Sequence, residues 1–379
     1  MGDLGTFIKG APLSKADISD KGNPFILYGE LYTTYSEVTH SVKRKTDKTV
    51  EQQFYSKIGD VIMPTSGETP EDIATASCIM LPDVILAGDL LIYRTEQIDG
   101  RFVSYAIKNK VNKQISSVAQ GKSVVHVRAD ELAKICITFP ALDEQKKILN
   151  LLELLDTRIA TQQSLIETLK KYKRGVVKTL LDPKQNQRQG VIWTTDTIGK
   201  LGTFIKGAAL SKADISDFGT PFVLYGELYT TYKEVVRSIA RTTQASVDDV
   251  YFSKVGDVVI PTSGETPEEI STASCIMIPN VILAGDLNIY RSTIVDGRIM
   301  SYLLNHIVNA QIARVAQGKS VVHVQASEVG KISITYPDHN EQERIAQILE
   351  LIDNRIAVSE KALISMQMMK KALLQQLFI

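Results

Sequence analysis

Cysteine is scarce in this sequence, and the three present, Cys78, Cys136 and Cys275, are too far apart to form a zinc-binding pattern. An odd number of widely spaced cysteines also argues against a disulfide framework, so we expect a cytoplasmic protein. No apolar run approaches the roughly 20 residues of a membrane-spanning helix. The first residues lack the basic and apolar regions of a secretory signal, which is consistent with that expectation.

An excess of charge of one sign is missing as well, because 43 basic residues balance 43 acidic residues. This balance argues against a protein whose whole surface binds nucleic acid. It leaves room for a locally basic face, or for a partner that supplies positive charge.

Catalytic motifs are absent too: the sequence has no G-x-G-x-x-G, H-E-x-x-H, C-x-x-C or G-x-S-x-G. Residues 121–123 and 318–320, both Gly-Lys-Ser, resemble the end of a phosphate-binding loop. However, Ser116 and Ala313 stand where that loop needs its first glycine, and a β-branched run follows where it needs a helix. We therefore expect no catalytic residues, no metal site and no cofactor bound by this chain.

What the sequence does contain is one long internal duplication. The segment Leu4–Gly10 recurs as Leu201–Gly207, and the same offset of 197 residues relates Tyr28–Tyr35 to Tyr225–Tyr232. No gap is needed between residues 4 and 182. A single long period indicates two domains of one fold, whereas a solenoid would show several short periods.

The first part of each copy has the pattern of a mixed α/β domain. In the first copy, short apolar or β-branched runs predict strands within residues 54–64, 77–82 and 84–94. Residues 104–114 are more typical of a helix. Residues 124–140 return to strand, with a short turn or helix at 129–134.

Each copy ends in a long amphipathic segment. Asp143 is a suitable N-cap for the first helix, and Asn340 with Glu343 has capping-box spacing for the second. Apolar residues then alternate at spacings of four and three, which is typical of a coiled-coil seam. The seam continues to Leu180 and Leu377, and its main positions are Ile148, Leu152, Leu155, Ile159, Ile166 and Leu169, with Ile345, Leu349, Ile352, Ile356, Leu363 and Met366.

Two packing arrangements are open for these helices. Each could pack on its own domain, or the two could pack on each other. A helix of about 38 residues spans roughly 57 Å, more than a domain of this size needs, so we favour an antiparallel coiled coil between them. Both copies interrupt the seam with polar residues at the same heptad places, namely Gln162 and Lys173, and Ser359 and Lys370.

The domain boundaries follow from these patterns. We predict a first mixed α/β domain at residues 1–142, a long helix at 143–182, a linker and lead-in segment at 183–197, a second domain at 198–339 and a second long helix at 340–379. The lead-in segment, which contains Trp193, has no counterpart in the first copy. The first domain is therefore expected to be slightly shorter or to use other contacts there.

Residues that could contact a ligand are polar or basic side chains in loops that both copies share. A solvated turn is about as good an explanation for each loop taken singly. In the first copy the candidates are Tyr28, Glu30, Tyr32, Thr33, Thr34, Lys43, Arg44, Lys45, Thr65, Ser66, Glu68, Gln120, Lys122 and Ser123. In the second copy they are Tyr225, Glu227, Tyr229, Thr230, Thr231, Thr262, Ser263, Glu265, Gln317, Lys319 and Ser320.

Two basic clusters distinguish the copies. The segment 43–45, Lys-Arg-Lys, becomes Ala-Arg-Thr at 240–242, and Lys48 becomes Ala245. Lys108, Lys110 and Lys113 are replaced by Asn305, Ile307 and Ala310. We expect the basic residues of the first copy to act on phosphate affinity and not on base recognition.

The order of these features resembles the DNA-specificity subunit of type I restriction–modification enzymes. Ala-Gln-Gly-Lys-Ser (119–123) leads to a β-branched run, then to Lys-Ile-Cys-Ile-Thr-Phe-Pro (134–140), and then to Asp-Glu-Gln (143–145) at the start of the long helix. The second copy repeats this order at 316–320, 331–337 and 340–342. The resemblance covers essentially the whole chain.

The resemblance implies a non-catalytic subunit in which each domain reads one half of an interrupted duplex DNA target. It also implies that the paired helices set the spacing of the half-sites and dock two methyltransferase (modification) subunits. Those subunits bind S-adenosylmethionine, and restriction subunits can join them. Recognition domains of this family usually differ, whereas these are near copies, so we expect the two halves of the target to be inverted repeats or nearly so.

Two rival functions remain open from the sequence. One is a coiled-coil scaffold whose duplicated heads bind protein partners. The other is an enzyme with an unrecognised active site at the repeated Thr-Ser-Gly-Glu loops, residues 65–68 and 262–265.

Overall fold

The computed structural model describes residues 1–121, 124–186, 188, 190–318 and 322–378. The chain forms two compact units: Met1–Gln163 with Ala362–Ile379, and Ser164–Lys361. Each unit contains one mixed α/β domain, here called head 1 (residues 1–141) and head 2 (residues 190–338). Each unit also contains segments of both long helices.

Head 1 is built from short strands and helices. Its strands are β1 (Thr6–Lys9), β2 (Asn23–Leu27), β3 (Val38–Thr39), β4 (Arg44–Thr46), β5 (Asp60–Pro64), β6 (Ser66–Gly67), β7 (Ser77–Ile79), β8 (Ile85–Ala87), β9 (Leu90–Arg94) and β10 (Val125–His126). Its helices are α1 (Glu30–Thr33), α2 (Pro70–Ile73), α3 (Gly100–Asn109), α4 (Asn112–Val118) and α5 (Ala129–Lys134), with 3-10 turns at Lys15–Asp17 and Gln52–Phe54. The first long helix, α6, spans Leu142–Leu180.

Head 2 repeats this plan with one additional strand pair. Its strands are β11 (Trp193–Thr197), β12 (Gly202–Lys206), β13 (Thr220–Leu224), β14 (Val235–Val236), β15 (Thr242–Thr243), β16 (Asp257–Pro261), β17 (Ser263–Gly264), β18 (Ser274–Ile276), β19 (Ile282–Ala284), β20 (Leu287–Ser292), β21 (Val322–His323) and β22 (Ser333–Pro337). Its helices are α7 (Ile198–Leu201), α8 (Glu227–Thr230), α9 (Pro267–Ile270), α10 (Gly297–His306), α11 (Asn309–Val315) and α12 (Ala326–Lys331), with 3-10 turns at Lys212–Asp214 and Asp249–Tyr251. The second long helix, α13, spans His339–Leu377.

The centre of each head is a five-stranded mixed sheet, in the order β1-β9-β5-β7-β3 in head 1. A three-stranded sheet, β4-β2-β8, and a two-stranded sheet, β10-β6, complete the head. All five residues of β5 are buried, because apolar layers cover both faces of the main sheet. Helix α3 packs on one face, where Phe102, Val103 and Tyr105 join the core.

The lead-in segment of head 2 becomes a strand. Residues Trp193–Thr197 pair antiparallel with Ser333–Pro337, and the amide of Ile198 donates to the carbonyl of Ile332 at 3.0 Å. In head 1 the terminal amine of Met1 occupies the equivalent place and donates to the carbonyl of Ile135 at 2.6 Å. Residues 136–140, equivalent to β22, form no strand, because no described strand lies beside them.

The long helices run antiparallel. Within the second unit, Lys170 contacts Glu360 at 2.8 Å and Lys173 contacts Asp353 at 2.6 Å. Residue numbers therefore fall along the second helix as they rise along the first. Within the first unit, Lys370 contacts Asp156 at 2.6 Å, and Leu374 joins the core that contains Leu149. The expected antiparallel pairing is therefore confirmed, and each helix begins one residue before the predicted start.

The helices also pack on the heads, so the two arrangements left open by the sequence coexist. All twelve main seam positions named above are buried or half-buried. Towards the carboxyl end of each helix the buried face moves by one residue. Val177 and Leu181 enter the head 2 core, and Leu374 and Phe378 enter the head 1 core. The cause is that a straight helix, with 3.6 residues per turn, drifts away from a 3.5-residue repeat.

Candidate nucleic-acid interface

Each head has a cleft beside the turn that follows its first buried strand. In head 1 the cleft has a volume of about 1130 Å³ and is lined by Lys9–Ala16, Tyr28–Glu30, Thr33, Arg44 and Asp89, among others. In head 2 it has a volume of about 710 Å³ and is lined by Leu210–Ala213, Tyr225–Glu227, Thr230, Arg241 and Asp286, among others. The same part of the fold therefore forms a polar cleft in both copies.

A buried carboxylate anchors an arginine at each cleft. Glu30 Oε2 accepts from the amide of Leu27 at 3.1 Å, and its Oε1 accepts from Arg44 Nε at 2.9 Å. In head 2, Glu227 makes the same bonds to the amide of Leu224 and to Arg241 Nε, at 3.1 and 2.7 Å. The expectation that these two glutamates lie free for ligand contact needs correction. Their side chains are buried and engaged, so they position the arginines instead.

The tyrosine and threonine candidates divide into two groups. Thr33, Thr34, Thr230 and Thr231 are exposed, as the sequence suggested. Tyr28 and Tyr225 are half-buried at the cleft wall. The hydroxyl of Tyr32 donates to the carbonyl of Ser66 at 2.7 Å, and burial raises the pKa of this phenol. Burial likewise raises the pKa of Tyr229.

The repeated Thr-Ser-Gly-Glu loop lies next to the cleft, because Ser66 Oγ donates to Asp89 Oδ2 at 3.3 Å. In head 2, Ser263 Oγ donates to Asp286 Oδ2 at 3.0 Å. Both serines are buried, so the expectation that they contact a ligand directly does not fit their burial. Thr65 and Thr262 are half-buried, and Glu68 and Glu265 are exposed.

The glycine turn of each head pairs with this same loop, since β10 lies antiparallel to β6 and β21 to β17. Gly121 has φ +141°, and a Cβ there would lie 2.0 Å from the carbonyl oxygen of Val124, which explains the glycine. Gln120 and Gln317 are exposed. The remaining candidates of the turn, Lys122, Ser123, Lys319 and Ser320, lie outside the described residues.

The basic residues particular to head 1 have different environments. Lys43 and Lys45 are exposed, whereas Arg44 between them forms the ion pair with Glu30. Lys108 contacts Glu37 at 2.9 Å and its side chain is 48% exposed, so it forms this ion pair and its expected contribution to phosphate affinity stays a prediction. Lys110 is half-buried and Lys113 is exposed.

Comparison with known proteins decides the family. Residues 1–171 and 191–366 match the family model described as type I restriction modification DNA specificity domain. The chain belongs to this family. Its tandem match agrees with the duplication and makes the chain a type I specificity subunit with two recognition domains.

Individual relatives agree with this assignment. The type I restriction enzyme MjaVIII specificity subunit of Methanocaldococcus jannaschii is 21% identical over 406 aligned positions, covering 100% of this chain and 90% of that protein. The crystal structure of the type I restriction–modification S subunit from M. genitalium matches with a TM-score of 0.65 and 18% identity, covering 100% of this chain and 94% of that one. A solved structure described as the structural basis of complex assembly and conformational transition of the type I R-M system matches with a TM-score of 0.57 and 15% identity. The match covers 99% of this chain and 97% of that one.

Within this specificity subunit, each head is joined to the long helices by a buried charge cluster. In head 2, Glu234 contacts Lys173 of α6 at 2.7 Å and His306 of α10 at 2.6 Å. Lys173 also contacts Asp353 of α13, which accepts from the Tyr302 hydroxyl. The cluster therefore connects one head to both helices of its unit.

Opposing effects set the pKa of Glu234. Burial alone would raise it, but the hydrogen bonds and charges of His306 and Lys173 hold it at about 2. In head 1, Glu37 is paired with Lys370 and Lys108, and those cations lower its pKa against the effect of burial. The sequence pattern does not identify either glutamate, although Lys173 and Lys370, the cations that bind them, interrupt the apolar seam.

The described residues of the specificity subunit lack the patterns of metal sites and of membrane-spanning helices. Among the described residues, no group of three or more His, Cys, Asp or Glu side chains is placed to hold a metal ion. No helix within the described ranges is long and apolar enough to cross a membrane.

Proposed function

We propose that this specificity subunit reads, without catalysing a reaction itself, an interrupted duplex DNA target whose two halves are inverted repeats. The observation that carries this proposal is the near identity of the two clefts. Lining residues of head 1 recur in head 2 at the offset of 197 positions: Leu13, Ser14, Lys15, Ala16, Tyr28, Glu30, Thr33, Arg44 and Asp89 become Leu210, Ser211, Lys212, Ala213, Tyr225, Glu227, Thr230, Arg241 and Asp286. Two heads whose clefts have the same lining residues should bind the same base sequence, which favours half-sites that are identical.

The chemistry of the clefts fits the edges of bases in a groove. Arginine and lysine donate hydrogen bonds, while carboxylates such as Asp89 accept them, so the set can discriminate bases by hydrogen bonding. Lys43 and Lys45 are exposed and are the sequence neighbours of Arg44, which lines the head 1 cleft. They would bind phosphates. The zero net charge of the chain indicates that partner subunits supply further phosphate contacts.

The experiment is to map methylated adenines across the genome of a cytoplasmic host that expresses this subunit with its methyltransferase. We expect one interrupted motif whose halves are inverted repeats. Two unrelated half-sites would overturn the symmetric target while leaving DNA recognition intact. Loss of all site-specific methylation only when this chain is omitted would support its role as the specificity determinant. Methylation that persists without it would refute that role.

We further propose that an apolar stripe on the long helices docks the methyltransferases, which would bind S-adenosylmethionine themselves. Leu151 and Leu154 share a helix face in the first unit, and Leu165 and Tyr172 share one in the second. All four side chains are exposed. In the second helix, Leu351, Val358 and Met369 occupy places equivalent to 154, 161 and 172, and they are exposed too. A repeated exposed apolar stripe is typical of a protein interface.

The docking surface is tested with a charged residue at its centre in each copy, Leu154→Glu combined with Leu351→Glu. We expect the double variant to keep its fold but to lose co-purification with the methyltransferase. Gln163→Glu, an exposed change away from the stripe, is the matched control and should leave co-purification intact. If the double variant still assembles, the stripe is not the docking surface. If the two heads bind proteins but do not bind DNA, the alternative function, a coiled-coil scaffold for protein partners, is favoured.

A further inference from the structure

We propose that Arg44 and Arg241 each recognise a guanine in the major groove, one in each half of the target. This inference rests on the proposed function and names a base that both heads read. It starts from the way in which each cleft holds its arginine.

The buried glutamate fixes each guanidinium through a single nitrogen. Glu30 and Glu227 side chains are only 5% and 8% exposed, and a backbone amide holds each second carboxylate oxygen. The glutamate therefore cannot move to follow the arginine. Because the guanidinium is planar and rigid, a hydrogen bond at Nε orients the whole fork. The arginine side chains themselves are 38% and 41% exposed and line the clefts.

The terminal nitrogens of both arginines remain available. Among the hydrogen bonds of the described residues, Arg44 and Arg241 donate only through Nε. Arg94 shows the contrast, because its Nε and Nη2 are bound to Asp60 and its Nη2 also donates to the carbonyl of Tyr55. Its side chain is 18% exposed, so Arg94 is a structural arginine, whereas Arg44 presents unused donors to the cleft.

Two parallel N–H donors match the major-groove edge of guanine. Guanine presents O6 and N7 as adjacent acceptors, while adenine presents one acceptor and one donor there. An arginine held at Nε can give both terminal N–H groups to O6 and N7 at once. Lysine, a point charge, cannot reproduce this geometry.

The pattern of substitution between the heads supports a separate role for this arginine. Lys43 and Lys45 flank Arg44 and become Ala240 and Thr242, but Arg44 is kept as Arg241. In an extended strand, successive side chains point to opposite faces, so Arg44 does not share the environment of its neighbours. A base contact needs the same residue in both heads, while phosphate contacts can differ between them.

The first test uses modified DNA and unmodified protein, so it does not depend on how a variant folds. The assembled complex with its methyltransferase is titrated against duplexes that carry the mapped target. Replacing the guanine of one half by 7-deazaguanine removes the N7 acceptor. At one guanine per half-site we expect binding to weaken about 10-fold, the loss typical of one recognition hydrogen bond. If specific binding is unchanged by this replacement at every guanine, guanine recognition by these arginines is wrong but the proposed function stands. If the complex binds no duplex specifically, the proposed function itself is wrong.

The second test couples the base to the residue. Arg44→Lys with Arg241→Lys keeps the positive charge beside each glutamate but removes the fork. We expect affinity for the unmodified target to fall by about 10- to 100-fold, with the 7-deazaguanine penalty abolished. Lys45→Thr, which installs the head 2 residue, should weaken all duplexes evenly and retain the penalty. Lysine variants that keep the wild-type penalty would show that another residue reads the guanine.

Discussion

Lys173 of the first long helix donates a hydrogen bond to Glu234 of head 2 at 2.7 Å, although the two residues are 61 positions apart. Its Nζ also lies 2.6 Å from Asp353 of the second long helix. The equivalent Lys370 lies 2.6 Å from Asp156 and 3.5 Å from Glu37. A charge that interrupts an apolar seam therefore connects a head to both helices, which fixes the position of the helices on that head.

Removing Lys173 should destabilise the second unit. Lys173→Met keeps much of the apolar packing but leaves Glu234 and Asp353 without this cation. We expect a loss of about 3 kcal/mol in the free energy of unfolding, as for one partner of a buried ion pair. Denaturant unfolding measures the loss, and hydrogen exchange locates it in residues 164–361.

Lys370→Met is the matched variant and should cost less. Glu37 lies farther from Lys370 than Glu234 does from Lys173. Glu37 also keeps a lysine, Lys108, at 2.9 Å, whereas Glu234 keeps His306, which is charged only when it is protonated. The side chain of Lys370 is also less buried, at 15% exposure against 8% for Lys173. A larger loss for Lys370→Met would contradict this order.

The same cluster should make the second unit sensitive to acid. The folded pKa of Glu234 is about 2, below its ordinary value of 4.5. A carboxyl with a lowered folded pKa contributes stability above pH 4.5 and loses it as the pH falls towards 2. The shift corresponds to roughly 3 kcal/mol. Glu234→Gln should therefore flatten the dependence of unfolding free energy on pH in this window, and an unchanged slope between pH 4.5 and 2 would rule out this assignment.

Phe378, one residue after the second long helix, should stabilise head 1. The centroid of its ring lies 5.0 Å from the ring centroid of Phe102 and 6.1 Å from that of Tyr105, and its side chain is buried. Phe378→Ala should cost about 3 kcal/mol, since it opens a cavity in a packed core. Met369→Ala, at an exposed position of the second long helix, is the control. Hydrogen exchange should show the loss in residues 1–163, and protection that is unchanged there would contradict the prediction.

The exposed lysines of head 1 should determine how steeply DNA binding depends on salt. Lys43→Ala, Lys45→Thr and Lys48→Ala together install the residues of head 2. Each lost phosphate contact should reduce the slope of log affinity against log salt by about 0.9. The reciprocal changes, Ala240→Lys, Thr242→Lys and Ala245→Lys, should steepen it. Slopes that do not respond in either direction would show that these lysines do not contact phosphates.

Local patterns were sufficient for the long helices but not for the strands. The predicted helix starts, Asp143 and Asn340, lie one residue after the observed ones, because heptads are local features. The predicted caps were wrong: Asp143 lies inside the first helix, and Asp338, not Asn340, accepts from the amide of Glu341 at 3.2 Å. The segment 54–64, predicted as strand, forms strand only at Asp60–Pro64, and a 3-10 turn ends at Phe54. The helix predicted at 104–114 is two helices, Gly100–Asn109 and Asn112–Val118, and Asp99 caps the first.

The binding candidates show the same division. Shared loop residues identified the part of each head that carries the cleft, as Tyr28 and Arg44 illustrate. The pattern could not tell the exposed Thr33 from the buried Glu30 three residues earlier. Burial depends on what the rest of the head places beside each residue, and a loop sequence does not contain that information. Contact of these residues with DNA stays a prediction.

The sequence by itself determined the duplication, the mixed α/β class, the two long helices and the family, because repeats, caps and heptads are written in residue order. Only the tertiary structure decided that Glu30 holds Arg44 by one nitrogen, that Lys173 reaches Glu234, and that Phe378 enters the core of head 1. These contacts join residues that chain folding brings together from distant positions. Their energies depend on burial and distance, which exist only once the fold has formed.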